Sequence, residues 1–267
     1  MTMSEFSNAE ERRAAARAEY ERIMTTDSPD PNGAYIESGV IGFVFGEMWR
    51  RGVLTARDRR FVTLSCVGAA GALTPIETHV WAALNSDDLT YAEFDEFVLH
   101  FATQLGWPKA SVMTMHGVMA AFRLADERNE PLEQHDFEWW ADPVEDGTRR
   151  QRGEAAYLAV HGVPSAPAPT AFRGRSYLDF LYGEIWTRER NLTRRDRRII
   201  SICCTAAAGV DEETSEHVRA ALAMEELTYE ELQELVVHYA VYLGWALGRR
   251  LDDLVYEAAC AAGLAAR

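Results

Sequence analysis

TPIETHVWAAL, residues 74–84, is the stretch from which the rest of this chain can be read. Thr74 is a good N-cap, Pro75 suits the first helical position, and Glu77 completes a capping box three residues after the threonine. Ile76, Val80, Ala83 and Leu84 then form an apolar stripe, with His79 at its edge. The same pattern returns in DEETSEHVRAAL, residues 211–222, where His217 takes the place of His79. What surrounds the two histidines returns as well.

Helical periodicity dominates, and no window alternates as a strand does. ERRAAARAEYERIM (11–24) reads as a first helix, followed by a loop with Pro29, Pro31 and Gly33 and a short apolar helix ending in FGEMW (45–49). Thr55 and Asp58 open a helix that turns apolar on nearly every side after its first turn, as expected at the centre of a bundle. Thr90 and Glu93 make a second capping box, with Leu89 and Phe94 as a staple. The stripe Phe94, Phe97, Val98, Phe101 and Leu105 follows, and a last helix is expected over 109–124.

From Arg149 the order starts again. Arg149, Arg150 and Tyr157 match Arg12, Arg13 and Tyr20, and YGEIW (182–186) matches FGEMW. LTRRDRR (192–198) matches LTARDRR (54–60), LTYEEL (227–232) matches LTYAEF, and HYAVYLGW (238–245) matches HFATQLGW (100–107). An offset of 137 up to YGEIW and of 138 after it, held over so many positions, marks an internal repeat. The expectation is an all-α chain of two tandem repeats, 10–126 and 148–264, joined by an acidic, turn-rich linker over 127–147.

Composition narrows the function. A net charge of −15 argues against nucleic acid and anionic membrane surfaces as partners, and makes any small anionic substrate depend on locally clustered arginines. No apolar run approaches the ~20 residues that span a bilayer, and the charged N-terminus has no signal-peptide core. Cys66, Cys203, Cys204 and Cys260 lack CxxC spacing and read as buried thiols of a cytoplasmic protein.

The FGEMW and LTARDRRFVTL segments, the ETHVWAALN helix and LTYAEFDEFVLHFATQLGWP together resemble the carboxymuconolactone decarboxylase family, which has the AhpD-like all-α fold. The second copy carries the same segments. Single-repeat members form rings, so the resemblance implies a homo-oligomer here, a trimer if six repeats close the ring. The peroxidase branch of the family has a CxxC pair four and seven residues before the helix histidine. Those positions are Pro75 and Ala72 in one copy and Glu213 and Val210 in the other. The resemblance therefore implies the other branch, a cofactor-independent decarboxylase in aromatic compound catabolism. One departure stands out: the family usually has an acid where this chain has Arg60 and Arg198.

Loss of CO2 from a carboxylated lactone needs cations for the carboxylates, stabilisation of an enolate-like oxyanion, and a proton for carbon. A histidine suits the proton and arginines the anions. On a helical wheel Arg60 shares a face with Leu64, Val67 and Gly71, and Arg198 with Ile202, Thr205 and Gly209, so both point along the buried side. The catalytic candidates are thus His79, His217, Arg60 and Arg198. Glu47 and Glu184 are placed to orient the histidines or to cap the next helix. Arg57 and Arg195 join them as substrate-binding candidates, as do His100, His238 and Tyr242; the His100 and His238 faces, shared with Gln104 and Tyr242, line a pocket or an interface. Trp49, Trp186, Trp107 and Trp245 read as core or interface anchors. No cofactor is called for, and no recognised metal-ligand spacing occurs. The leading expectation is a lyase acting on a small carboxylated lactone or enolisable acid. The alternatives are a ring-forming binding or scaffold protein and, third, a hydroperoxide reductase working through Cys66 or Cys204.

Overall fold

The computed structural model describes residues 8–132 and 146–266, and among these every regular element is a helix. In order they are α1 (Ala9–Met24), the π-helix π1 (Tyr35–Met48), α2 (Ala56–Ala70), α3 (Leu73–Asn85), α4 (Tyr91–Leu105) and α5 (Trp107–Arg128). The second half follows with α6 (Asp146–His161), the π-helix π2 (Phe172–Ile185), α7 (Arg194–Ala208), α8 (Asp211–Ala223), α9 (Tyr229–Leu243) and α10 (Trp245–Ala261). The fold is all-α, as the periodicity implies. Most of the expected linker, residues 133–145, lies outside the described residues, and its first two positions belong to α5.

The caps explain most of the boundaries. Thr55 with Asp58, Thr90 with Glu93, Thr193 with Asp196 and Thr228 with Glu231 each close a reciprocal capping box. The box read at Thr74 is not formed. Gly71 ends α2 in the left-handed region at φ 65°, and Ala72 is already the N-cap of α3, without a side-chain bond. The turn is so short that Thr74 and Pro75 fall inside the first turn, where a missing N–H leaves no bond unmade.

α2 and α7 form the centre. Residues 58–68 and 196–206 are buried on every side, and the two helices pack directly on each other. α9 crosses over to α2, and α4 crosses to α7. A single apolar core therefore runs through both halves, with Phe61, Phe97 and Phe101 from one and Ile199, Leu235 and Tyr239 from the other. Arg57 bonds Asp196 at 3.1 Å and Arg195 bonds Asp58 at 3.0 Å, a reciprocal pair of bridges between the halves. Each π-helix instead packs on the first helix of its own half. At Gly153 the approach of α6 to π2 is so close that a Cβ would strike the Leu178 carbonyl. Trp49 and Trp186 are core residues, whereas Trp107 and Trp245 stand 58% and 66% exposed at the helix starts that follow Gly106 and Gly244.

Candidate functional site

Arg198 lies two positions beyond the capping aspartate of α7, and the helix carries it fully inside. Its Nε donates to Glu226 Oε2 at 2.6 Å and its Nη2 to the Val160 carbonyl at 2.5 Å. Its Nη1 lies 2.9 Å from His217 Nδ1 on α8. A guanidinium has only donors, so Nδ1 accepts, and the imidazole is neutral with its proton on Nε2. Burial, and after it the charge of Arg198, holds the His217 pKa well below the ordinary value.

π2 supplies the rings around this pair. Its i→i+5 pitch brings residues four and five apart onto one face. Tyr177 and Tyr182 are 5.1 Å apart, and Tyr182 stacks on Trp186 at 6.2 Å. Trp186 in turn lies 5.8 Å from His217 with a 20° interplanar angle. His161, from the end of α6, packs 5.1 Å from His217 and places Nε2 2.7 Å from the Tyr182 hydroxyl. Burial and Arg198 push His161 down to about 3, while burial pushes Tyr177 up to about 12 and Tyr182 well above its usual range. At neutral pH all of these rings are uncharged hydrogen-bonding groups.

A cavity of about 450 Å³ opens beside this set. His217, Tyr177 and Tyr182 form one wall; Gln104 and Trp107, from the first half, form the other; Glu213 and Glu216 stand on the same α8 face as His217. No Arg or Lys lines it among the described residues. Partial burial pushes the Glu216 carboxyl up, Arg219 pulls it back, and Glu212 and Glu213 push it up again, leaving it above the usual carboxylate value.

The first half keeps the arginine and the histidine but not their neighbours. Arg60 is fully buried, with Nε 2.9 Å from Asp88 and Nη2 2.5 Å from the Ile23 carbonyl. Its Nη1 and His79 Nδ1 are both buried without a partner, so the arginine–histidine bond of the second half is not made. Counting from the matched Tyr20 and Tyr157, the places of His161, Tyr177 and Tyr182 are taken by Met24, Val40 and Phe45. Tyr242 packs edge-on against His79 at 5.3 Å and accepts a bond from Trp49 Nε1 at 2.9 Å. Burial, with Arg60, pushes His79 down to about 3.

The other expected site residues fall elsewhere. Glu47 pairs with Arg12, and Glu184 with Arg149 and Arg152; neither reaches a histidine, because both face the first helix of their own half. Arg57 and Arg195 are held by carboxylates on both sides, the bridging aspartates and Glu93 or Glu231. His100 accepts from Arg197 at 3.2 Å and reaches Ser201 at 2.9 Å; His238 accepts from Arg59 at 3.1 Å and reaches Thr63 at 2.9 Å. Both nitrogens of each ring are thereby taken by the opposite half. Glu96 with Arg197, and Glu234 with Arg59, complete the same buried seams.

His161, Glu213 and Glu216 escape a sequence reading. The one available signal is the drift between copies, since Glu216 stands where the first copy has Thr78. Cys66, Cys203 and Cys204 are buried and Cys260 partly so. Burial pushes the thiols of Cys203 and Cys204 well up, the reverse of what a reactive thiolate needs. Among the described residues no group of His, Cys, Asp and Glu is arranged to hold a metal ion, and no helix is long and apolar enough to cross a membrane.

The class defined so far is an all-α protein with a buried arginine–histidine pair whose histidine lines a cavity of about 450 Å³. Residues 174–255 match the model of the carboxymuconolactone decarboxylase family. The span holds Tyr177, Tyr182, Trp186, Arg198, Glu213, Glu216 and His217, most of the second-half site. A comparison with curated proteins gives no match.

Proposed function

We propose that the cavity beside His217 is the active site of a carbon–carbon lyase that releases CO2 from a small enolisable oxo acid. The observation that carries this reading is the Arg198–His217 bond of 2.9 Å. It occupies Nδ1 and leaves Nε2–H as a fixed, neutral donor for an oxyanion. In the proposed step the bond to the carboxylate carbon breaks, CO2 leaves, and the electron pair moves onto the carbonyl oxygen as an enolate held by His217. Glu216, with its raised pKa, then protonates the carbon and recovers its proton from solvent. The acid/base role expected of the histidine thus passes to a carboxyl, because a ring whose Nδ1 is already an acceptor cannot take up a second proton there. Arg198 acts through His217 and is a positioning residue. The lack of Arg or Lys in the lining supports the same step, since a carboxylate given no counter-ion loses no contact on leaving as neutral CO2.

The test is CO2 release from a panel of small oxo acids and carboxylated lactones. His217→Phe is expected to lower kcat about 10²–10³-fold, the usual loss for one oxyanion donor. Glu216→Gln is expected to lower kcat and to abolish the alkaline limb of the pH profile, where loss of the Glu216 proton slows the wild-type chain. Full turnover by His217→Phe overturns the reading. The same lining, with no cation to clamp a carboxylate, favours one second reading, a small-molecule-binding member without turnover. Saturable binding at this cavity with no product from any of the panel would establish that reading instead.

A further inference from the structure

The two tryptophans that follow the π-helices are set identically in the two halves. Trp49 lies 4.9 Å from His238 at 81°, and Trp186 lies 5.1 Å from His100 at 87°. Each stacks on the ring preceding it, Phe45 at 6.3 Å and Tyr182 at 6.2 Å. Each has a buried arginine over its face, Arg60 at 5.1 Å and Arg198 at 5.4 Å. Both indoles are 3% exposed. These matched contacts are the ground for inferring that the two N–H groups point to equivalent places. In the first half that place holds the Tyr242 hydroxyl, 2.9 Å away. In the second half the matching residue is Gln104, which lines the cavity, and Trp186 Nε1 is buried with no partner. A buried N–H left unpaired costs about 1–3 kcal/mol, so such a donor marks a place built for an acceptor.

We propose that the His217 cavity binds a flat ring of phenol size carrying a phenolic or enolic oxygen, and that this oxygen accepts the Trp186 N–H. Tyr242 is then a built-in copy of the ligand, closing the first-half site with the group that the second-half site takes from solution. The ring lies edge-on to the helix histidine, as Tyr242 does to His79 at 5.3 Å, and the oxygen completes the indole bond. The absence of Arg and Lys from the lining, and the presence of Glu213 and Glu216, fit a ligand whose ring carries little negative charge. This inference rests on reading the His217 cavity as the substrate site. It narrows the enolisable substrate of that reading to a cyclic one.

The probe is p-cresol, the tyrosine side chain as a free molecule, with toluene as the match lacking the hydroxyl. Binding to the full chain is followed by titration of the indole N–H resonances. One p-cresol per chain is expected, about tenfold tighter than toluene, with the Trp186 N–H signal moving most. Gln104→Tyr should abolish the site by filling it, and Tyr242→Gln should open a second one beside His79. Trp186→Phe, which fills no space, should reduce p-cresol to the affinity of toluene. Equal binding of the two probes, no binding of p-cresol, or unchanged p-cresol binding in Gln104→Tyr overturns the proposal. Because turnover plays no part, p-cresol binding without CO2 release keeps this inference and removes the lyase. CO2 release without p-cresol binding does the reverse.

Discussion

Arg198 and His217 are joined by a hydrogen bond of 2.9 Å whose direction is fixed by chemistry, and their counterparts Arg60 and His79 are not joined at all. One arginine makes its histidine a donor of known tautomer. The other leaves two buried polar atoms unpaired. Imidazole nitrogen resonances read this directly: His217 should show a protonated Nε2, an accepting Nδ1, and no titration between about pH 6 and 8, where the chain stays folded. Arg198→Met should release the ring to exchange between tautomers. A His217 signal that titrates near its ordinary value in the wild-type chain would contradict the assignment.

Five buried histidines make the fold sensitive to acid. His79, His100, His161, His217 and His238 all have pKa values lowered first by burial. The unfolded chain binds protons near its ordinary value of about 6.5 while the folded chain refuses them, so stability is complete above that value and falls as pH drops below it. Each histidine removes about 1.4 kcal/mol per pH unit, so five together remove about 7 kcal/mol per unit. Against a typical stability of about 5–15 kcal/mol, acid unfolding should have its midpoint between about pH 4.3 and 5.8. Denaturant melts at pH 7.5, 6.5 and 5.5 check this, and a stability unchanged at 5.5 would refute it.

The buried seams should dominate the ion-pair energetics. Glu96 is 4% exposed between Arg197 and Arg188, and burial pushes its carboxyl up less than the two arginines pull it down. Glu96→Ala leaves two guanidinium groups without their counter-ion and should destabilise by about 3–5 kcal/mol. Glu47→Ala breaks a pair whose side chains are 40% and 41% exposed, and should change stability by less than about 1 kcal/mol. Urea midpoints for the two variants decide the order, and similar losses would mean that the seam is not where the stability lies.

The thiols should be inert in the native state. Cys66, Cys203 and Cys204 are fully buried on α2 and α7, and only Cys260 is partly accessible. A thiol reagent should therefore label one cysteine per native chain rapidly and the remaining three only on unfolding. Rapid labelling of Cys66 or Cys204 in the native chain would return the hydroperoxide reductase reading to consideration.

Much of the architecture was legible in residues close together in the sequence. The threonine–carboxylate caps, the 3.6-residue stripes and the all-apolar α2 are local patterns, and each fixes a helix without reference to the rest of the chain. The wheel that put Arg60 and Arg198 on the buried side succeeded for the same reason. The Thr74 cap failed because the tightness of the preceding turn at Gly71, rather than the capping residue, set the start of α3. The reach of the π-helices was also missed: FGEMW and YGEIW are only the ends of fourteen-residue elements.

The sequence by itself determined helices, caps, a duplicated order, the absence of a CxxC pair and two arginines turned inward. Only the tertiary structure decided what each histidine is bonded to and which of them borders a cavity. His100 and His238 looked like site residues until α4 and α9 were seen to cross into the opposite half, where Arg197 and Arg59 occupy them. Glu47 and Glu184 looked close to the histidines until each π-helix turned them towards an arginine of its first helix. The choice between His79 and His217 rests on one pair of matched positions, Tyr242 filling one site and Gln104 leaving the other open. Helical periodicity records which face of a helix is buried. It does not record what is buried against it, because a hydrogen-bond partner a hundred residues away is set by how whole helices dock.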